Sequence, residues 1–283
     1  MRVAVVGGGS IGVAWAVVFA RAGFEVTVQE PDAARREAVP REIEERGGGP
    51  VAVHADLEAA LEGAEHVQEC APEDLTLKRE LFERLTNLTE DVPLASSSSA
   101  ITASQFAPGN PRALVAHPGN PPHLIPVVEL VPAPFTDPAI VDRVETTMQQ
   151  AGMSPVRLRK EIEGFIFNRL QGAVLREAYC LVRDGVADVD DIDRVVREGI
   201  GRRWAVIGPF ETADLNTRGG IAEHARRLGP AYARMGAERG QDDPWTPELV
   251  EHVTAERRRL LPLDQWEERV AWRDRQLAER APR

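Results

Sequence analysis

The chain has 283 residues, 43% of them hydrophobic, and a formal net charge of −11. That length allows a large core in one or two domains, and the acidic balance argues against a nucleic-acid footprint. Cys70 and Cys180 lack metal-type spacing, no apolar run reaches membrane-spanning length, and the N-terminus enters a strand at once; this pattern implies a cytoplasmic protein with reduced, buried thiols and no metal.

Arg2 to Val6 is a short β-branched run, as expected of a strand buried on both faces. The turn Gly7-Gly8-Gly9-Ser10-Ile11-Gly12 follows directly, then an apolar helix from Val13 to Ala22 and a second strand from Phe24 to Glu30. Gly7, Gly9 and Gly12 fit the dinucleotide fingerprint. The first permits a tight turn, the second lets a diphosphate approach the backbone, and the third lets helix and sheet pack closely. The helix start favours the negative charge of a diphosphate. Glu30 ends the second strand, where its carboxylate can accept from ribose hydroxyls and repel a 2′-phosphate. The expected cofactor is therefore NAD rather than NADP, with FAD the minor rival.

Residues 31–46 read as a solvated helix. Val51–His54, Glu65–Cys70, Val92–Ala95, Ala113–His117, Val127–Val131 and Val156–Arg159 read as strands. Helices are expected at 74–88 and 137–152. Beyond residue 161 the strands cease, and helical patterns start at Gly164–Asp184 and Asp188–Glu198. The expected architecture is α/β: a Rossmann-type NAD-binding domain over 1–161, then an α-helical substrate and dimerisation domain over 162–283.

Three segments place polar residues where apolar ones are expected. His117 ends a buried-looking strand before Pro-Gly-Asn-Pro-Pro122, and Glu129 sits amid Val and Leu. A buried carboxylate needs a partner. Paired with His117 Nδ1, it would fix the tautomer, raise the imidazole pKa and leave Nε2 for proton exchange. Either residue alone reads better as a capped structural His at a proline turn or a solvent-facing Glu on an edge strand; the pair favours catalysis. Asn168 enters the helix after Gly164 and could donate to a substrate oxygen or cap the backbone. Ser96–Ser99 ends a strand where α/β folds place ligands, and chemistry alone does not choose among the four.

The chain resembles the short 3-hydroxyacyl-CoA dehydrogenase superfamily, and within it the lambda-crystallin or L-gulonate 3-dehydrogenase group. The resemblance is carried by Gln68–Leu75, His117–Pro122, Ile125–Pro132, Gly164–Gln171 and Ile207–Thr212. It implies His117 as general base, Glu129 as its orienting partner, and Ser99 and Asn168 as contacts to the substrate oxygen. It also implies Glu73 and Lys78 near NAD. The segment between 31 and 55 is shorter than usual for the group, and Glu163 stands where the superfamily often has proline.

The expected reaction is oxidation of the 3-hydroxyl of a small 3-hydroxy acid, L-gulonate first, with His117 taking the proton as hydride leaves for NAD. A 3-hydroxyacyl-CoA or L-carnitine dehydrogenase is the alternative within the same chemistry. A redox-silent NAD-binding structural protein is the alternative of another class. Arg203, beside Trp204, is a candidate grip for a substrate carboxylate, while Arg202 reads as solvent-facing or ion-paired. Phe165, Ile166, Leu170 and Leu175 suggest a homodimer interface.

Overall fold

The computed structural model describes residues 1–240 and 246–279. The chain divides into two compact units, Met1–Leu175 and Arg176–Arg283. The division falls inside a helix, later than the 161/162 boundary expected from where the strands stop.

The first unit is an eight-stranded sheet in the order β3-β2-β1-β4-β5-β6-β7-β8. Its strands are β1 (Arg2–Val6), β2 (Glu25–Gln29), β3 (Ala52–His54), β4 (His66–Glu69), β5 (Leu94–Ser96), β6 (Ala113–Pro118), β7 (Val127–Pro132) and β8 (Ser154–Arg157). Neighbouring pairs are parallel except β6 and β7, which run antiparallel with His117 opposite Glu129. The order reverses between β1 and β4, the switch point where such sheets open a ligand crevice. Valines dominate β1 and β2 because both sheet faces are covered.

Helix α1 (Ser10–Arg21) buries eight consecutive residues from Gly12 to Phe19, so its sequence is apolar all round rather than striped. A Cβ on Gly12 would lie 1.8 Å from the Gly7 carbonyl oxygen, so no other residue fits this close helix–turn contact. Gly7 has φ +104°, a backbone region costly for other residues. The remaining helices of this unit, α2 (Ala33–Glu45), α3 (Leu57–Leu61), α4 (Leu75–Leu88), α5 (Ala103–Phe106) and α6 (Pro138–Gln150), begin at capping residues. Asp32, Asp56, Asp74 and Asp137 each accept a backbone N–H in the first turn. The four-residue α5 was not foreseen, because it is too short for a periodicity.

After β8 come α7 (Phe167–Arg183), α8 (Val189–Val195), a π-turn over Val196–Ile200, α9 (Gly201–Trp204), α10 (Pro209–Leu215), α11 (Gly220–Glu238), α12 (Pro247–Leu260) and α13 (Trp266–Glu279). The second unit has a small core of Ile207, Leu215 and Leu261, flanked by Val206, Trp266, Val270 and Trp272. Asp214 is fully buried in it and accepts from the Ile221 amide at 2.8 Å and from Arg258. Two expectations change here. Cys180 is free but only half-buried, and Cys70 is free and half-buried as a residue although its thiol is enclosed. Phe165 is fully buried within the first unit, so it belongs to no exposed interface face.

Candidate active site

The glycine turn, Glu30, Glu73, Ser99, His117 and Asn168 line one cleft of about 1170 Å³ in the first unit. Three strand ends build its floor. The amide of Gly7 donates to Gln29, that of Cys70 to Val6 and that of Ser97 to Glu69, so each loop leaves the sheet at the same edge. Gly9, Ser10 and Ile11 lie along the cleft, and a Cβ on Gly9 would meet nothing within 4 Å. The first turn of α1 carries no acidic residue. Open backbone and unopposed helix amides suit a diphosphate.

Glu30 lines the same cleft while its carboxylate accepts from the amides of Gly8 and Asp32, each at 2.9 Å. These bonds fix it at the end of β2, where lone pairs remain for ribose hydroxyls. The residues present fit a dinucleotide.

His117 and Glu129 meet as neighbours across the antiparallel pair, with Nδ1 2.8 Å from Oε2. Both are over nine-tenths buried. The other carboxylate oxygen of Glu129 accepts from the amides of Ile166 at 2.7 Å and Phe167 at 3.0 Å. A carboxylate that would be costly alone is thus fully hydrogen-bonded. The chain reaches those amides through Gly164 and Phe165, both left-handed, at φ +75° and +48°. Phe165 is held there by its ring, 5.3 Å from the imidazole of His117. Phe167 approaches the same imidazole edge-on at 6.4 Å. Sequence patterning treated Phe165 as surface because a non-glycine left-handed residue leaves no periodic signal.

Asn168 is the second residue of α7, and its amide donates to the Ser99 carbonyl at 3.3 Å. Ser99 is exposed at the cleft. Glu73 fixes the turn that carries it. One Glu73 oxygen accepts from the Ser98 hydroxyl at 2.6 Å and from the amides of Ser99, Ala100 and Ile101 at 3.1, 2.9 and 3.2 Å. Burial works against this carboxylate. The Ser98 hydroxyl and the amides outweigh it and hold Glu73 below the usual carboxylate range.

Lys78 does not line the cleft. It is 1% exposed, and its ammonium donates to both Glu69 oxygens at 2.9 Å, with Glu73 3.8 Å away. A buried lysine needs this pairing, which uses its donors inside the protein. Lys78, expected near NAD, thus stands behind the cleft residue Glu73 in a buried ion pair with Glu69. Two further cleft residues, Asn120 and Ser97, were passed over. Asn120 was hidden within the His117–Pro122 loop, and Ser97 among four serines.

Arg203 lies in the second unit, on a cavity of about 710 Å³ with Trp204, Asn216, His224 and Tyr232. Arg202 is 3.8 Å from Glu198. Among the described residues no metal-ligand cluster occurs, and no helix is long and apolar enough to cross a membrane.

The profile for the NAD binding domain of 3-hydroxyacyl-CoA dehydrogenase matches residues 2–49 and 48–162, and that for its C-terminal domain matches 164–260. A lambda-crystallin homolog of Bos taurus is 45% identical over 255 residues, covering 82% of this chain and 79% of that protein. An L-carnitine dehydrogenase of Streptomyces griseus is 41% identical over 270 residues, covering 88% and 78%. The solved structure of an NAD-dependent 5-formyl-3-hydroxy-2-methylpyridine 4-carboxylic acid 5-dehydrogenase superposes with a TM-score of 0.75 at 26% identity, covering 93% of this chain and 97% of that one.

Proposed function

Because the chain belongs to the 3-hydroxyacyl-CoA dehydrogenase family, an NAD-dependent oxidoreductase family acting on CH–OH groups, we propose that it oxidises the 3-hydroxyl of a small free 3-hydroxy acid, with L-gulonate the leading substrate. The observation that carries this reading is the His117–Glu129 pair at 2.8 Å, on the cleft that also holds the glycine turn.

In this reading NAD, when bound, accepts the hydride. The glycine turn and Glu30 hold its diphosphate and adenosine ribose. His117 takes the hydroxyl proton at Nε2, while Glu129 stabilises the imidazolium. Two backbone amides already fix Glu129, so its charge is oriented before substrate arrives. Ser99 and Asn168 hold the oxygen that becomes the ketone. Glu73 acts as a positioning residue for the Ser99 turn.

The similarity to an L-carnitine dehydrogenase supports a second reading, with carnitine as the 3-hydroxy acid. Both substrates carry a carboxylate, for which Arg203 is the proposed partner. No ion pair engages Arg203 among the described residues. NADH formation should be compared across sugar acids, carnitine and 3-hydroxyacyl-CoA. Higher kcat/KM on free acids supports the proposal, and a preference for the thioester overturns it. A lack of turnover on every substrate despite tight NAD binding would favour a redox-silent NAD-binding protein.

The division of labour proposed is cofactor binding by 1–161 and substrate and assembly contacts by 162–283. A homodimer is supported by α7, which buries no residue and exposes Leu170, Leu175 and Tyr179 by 56%, 50% and 72%. A cytoplasmic location is supported by the unpaired cysteines.

A further inference from the structure

Ser97 is the hub of a polar chain under the cleft. Its hydroxyl oxygen is 3.0 Å from Trp15 Nε1, 2.8 Å from Gln68 Nε2 and 3.2 Å from Cys70 Sγ. Trp15 can only donate. The direction of the Gln68 bond follows from its far end, where Oε1 lies 3.3 Å from His66 Nε2. His66 is fully buried, and burial depresses its pKa to about 4, so the ring is neutral.

Its Nδ1 has no partner. If Nδ1 carried the proton, a buried N–H would be orphaned. With the proton on Nε2, only a lone pair is left bare, the cheaper outcome. His66 therefore donates to Gln68 Oε1, and Gln68 Nε2 donates to Ser97.

Ser97 thus receives two donors, which fill both lone pairs of its oxygen. Cys70 cannot be a third. Burial pushes its thiol up to about 12, so it stays protonated, and its S–H faces the Gln68 carbonyl at 3.8 Å. The Ser97 proton is then left for the weak sulfur acceptor of Cys70 or for a ligand in the cleft. Ser97 and Cys70 both line the cleft.

Topology shows which end of a dinucleotide that ligand atom would belong to. Glu30 ends β2 and the glycine turn follows β1, so the adenosine and diphosphate lie over those strands. Between β1 and His117 on β6 the sheet places β4 and then β5. Ser97 follows β5, two strand spacings or roughly 10 Å from β1. A dinucleotide seated on the glycine turn and reaching towards His117 would bring its nicotinamide end over that position.

We propose that Ser97 is a dedicated hydrogen-bond donor to the carboxamide oxygen of the nicotinamide, held in that role by Trp15, Gln68 and His66. Neither the substrate nor the base takes part in this contact. ADP-ribose lacks the nicotinamide and serves as the control ligand. By calorimetry, Ser97→Ala should raise the Kd of NAD about tenfold and leave that of ADP-ribose within twofold. Thionicotinamide adenine dinucleotide, with a poor sulfur acceptor, should be nearly insensitive to the substitution. Ser97→Thr keeps the hydroxyl and should preserve the wild-type NAD to ADP-ribose ratio, which covers the case of an alanine variant that folds poorly. An equal loss for NAD and ADP-ribose, or no loss for NAD, overturns the assignment, as does a threonine variant whose ratio shifts as the alanine variant's does.

Discussion

The two units differ in how completely each satisfies its own residues. In the first, buried charges find partners: Lys78 meets Glu69, Glu129 meets His117 and two amides, and Glu73 meets the Ser98–Ile101 turn. In the second, Thr212 Oγ1, Asp214 Oδ2, His224 Nδ1, Thr254 Oγ1 and two Arg257 nitrogens are buried without hydrogen-bond partners among the described residues, against His66 Nδ1 and His123 Nδ1 in the first. Its helices α8 and α9 bury nothing, while Phe210 and Tyr232 are exposed on the wall of an apolar cavity. The first unit is organised around a cofactor cleft that is already formed. The second presents surface that a single chain leaves uncovered, which is the physical ground for the proposed dimer.

If this contrast holds, substitutions in the two units should fail differently. Glu129→Gln should lower kcat by about a hundredfold or more, since the orienting charge is removed. NAD affinity and assembly should be unchanged. A variant that loses NAD affinity in proportion to kcat would assign Glu129 to the cofactor cradle instead.

Tyr179→Asp combined with Val182→Asp should convert a dimer to a monomer at micromolar concentration by light scattering, because both are exposed on the part of α7 that belongs to the second unit. A wild-type protein that is already monomeric removes the dimer proposal. Arg203→Met should raise KM for a free hydroxy acid roughly tenfold, the loss of one charge-assisted contact, and leave the Kd of NAD unaltered. An unaltered KM would remove Arg203 from the substrate.

The smallest effect concerns pH. An unfolded chain protonates His66 near 6.5, whereas the folded chain keeps it neutral down to about 4. The unfolded state therefore binds more protons in that window. Stability of the first unit should fall as pH drops from 6.5 to 4, by up to about 1.4 kcal/mol per unit. His66→Phe should flatten the decline, measured by urea unfolding of that unit. An unchanged slope would show that other groups dominate.

The sheet, its glycine turn and the His117–Glu129 pair were legible because each leaves a local mark. Valine runs announce doubly covered strands, and a histidine and a glutamate within such runs announce a partnered pair. The Phe165 conformation, the Lys78–Glu69 pairing and the Ser97 hub left none. They arise where loops from separate strands converge, and they depend on which amide or hydroxyl faces which neighbour. The boundary near 161 marks where strands stop. The compact unit continues to Leu175 and includes Ile166 and Phe167, at the entry to α7, whose amides hold Glu129. In the second unit, α8 passes into a π-turn at Val196, a change of helical pitch that periodicity over a few residues does not resolve.

The most direct test of the central claim is His117→Ala, measured by rapid mixing of enzyme, NAD and hydroxy acid with NADH absorbance as the readout. Hydride transfer should fall by about a thousandfold or more while the Kd of NAD, from calorimetry, stays within twofold. Hydride transfer at a near-normal rate in that variant would contradict the assignment of His117 as the base.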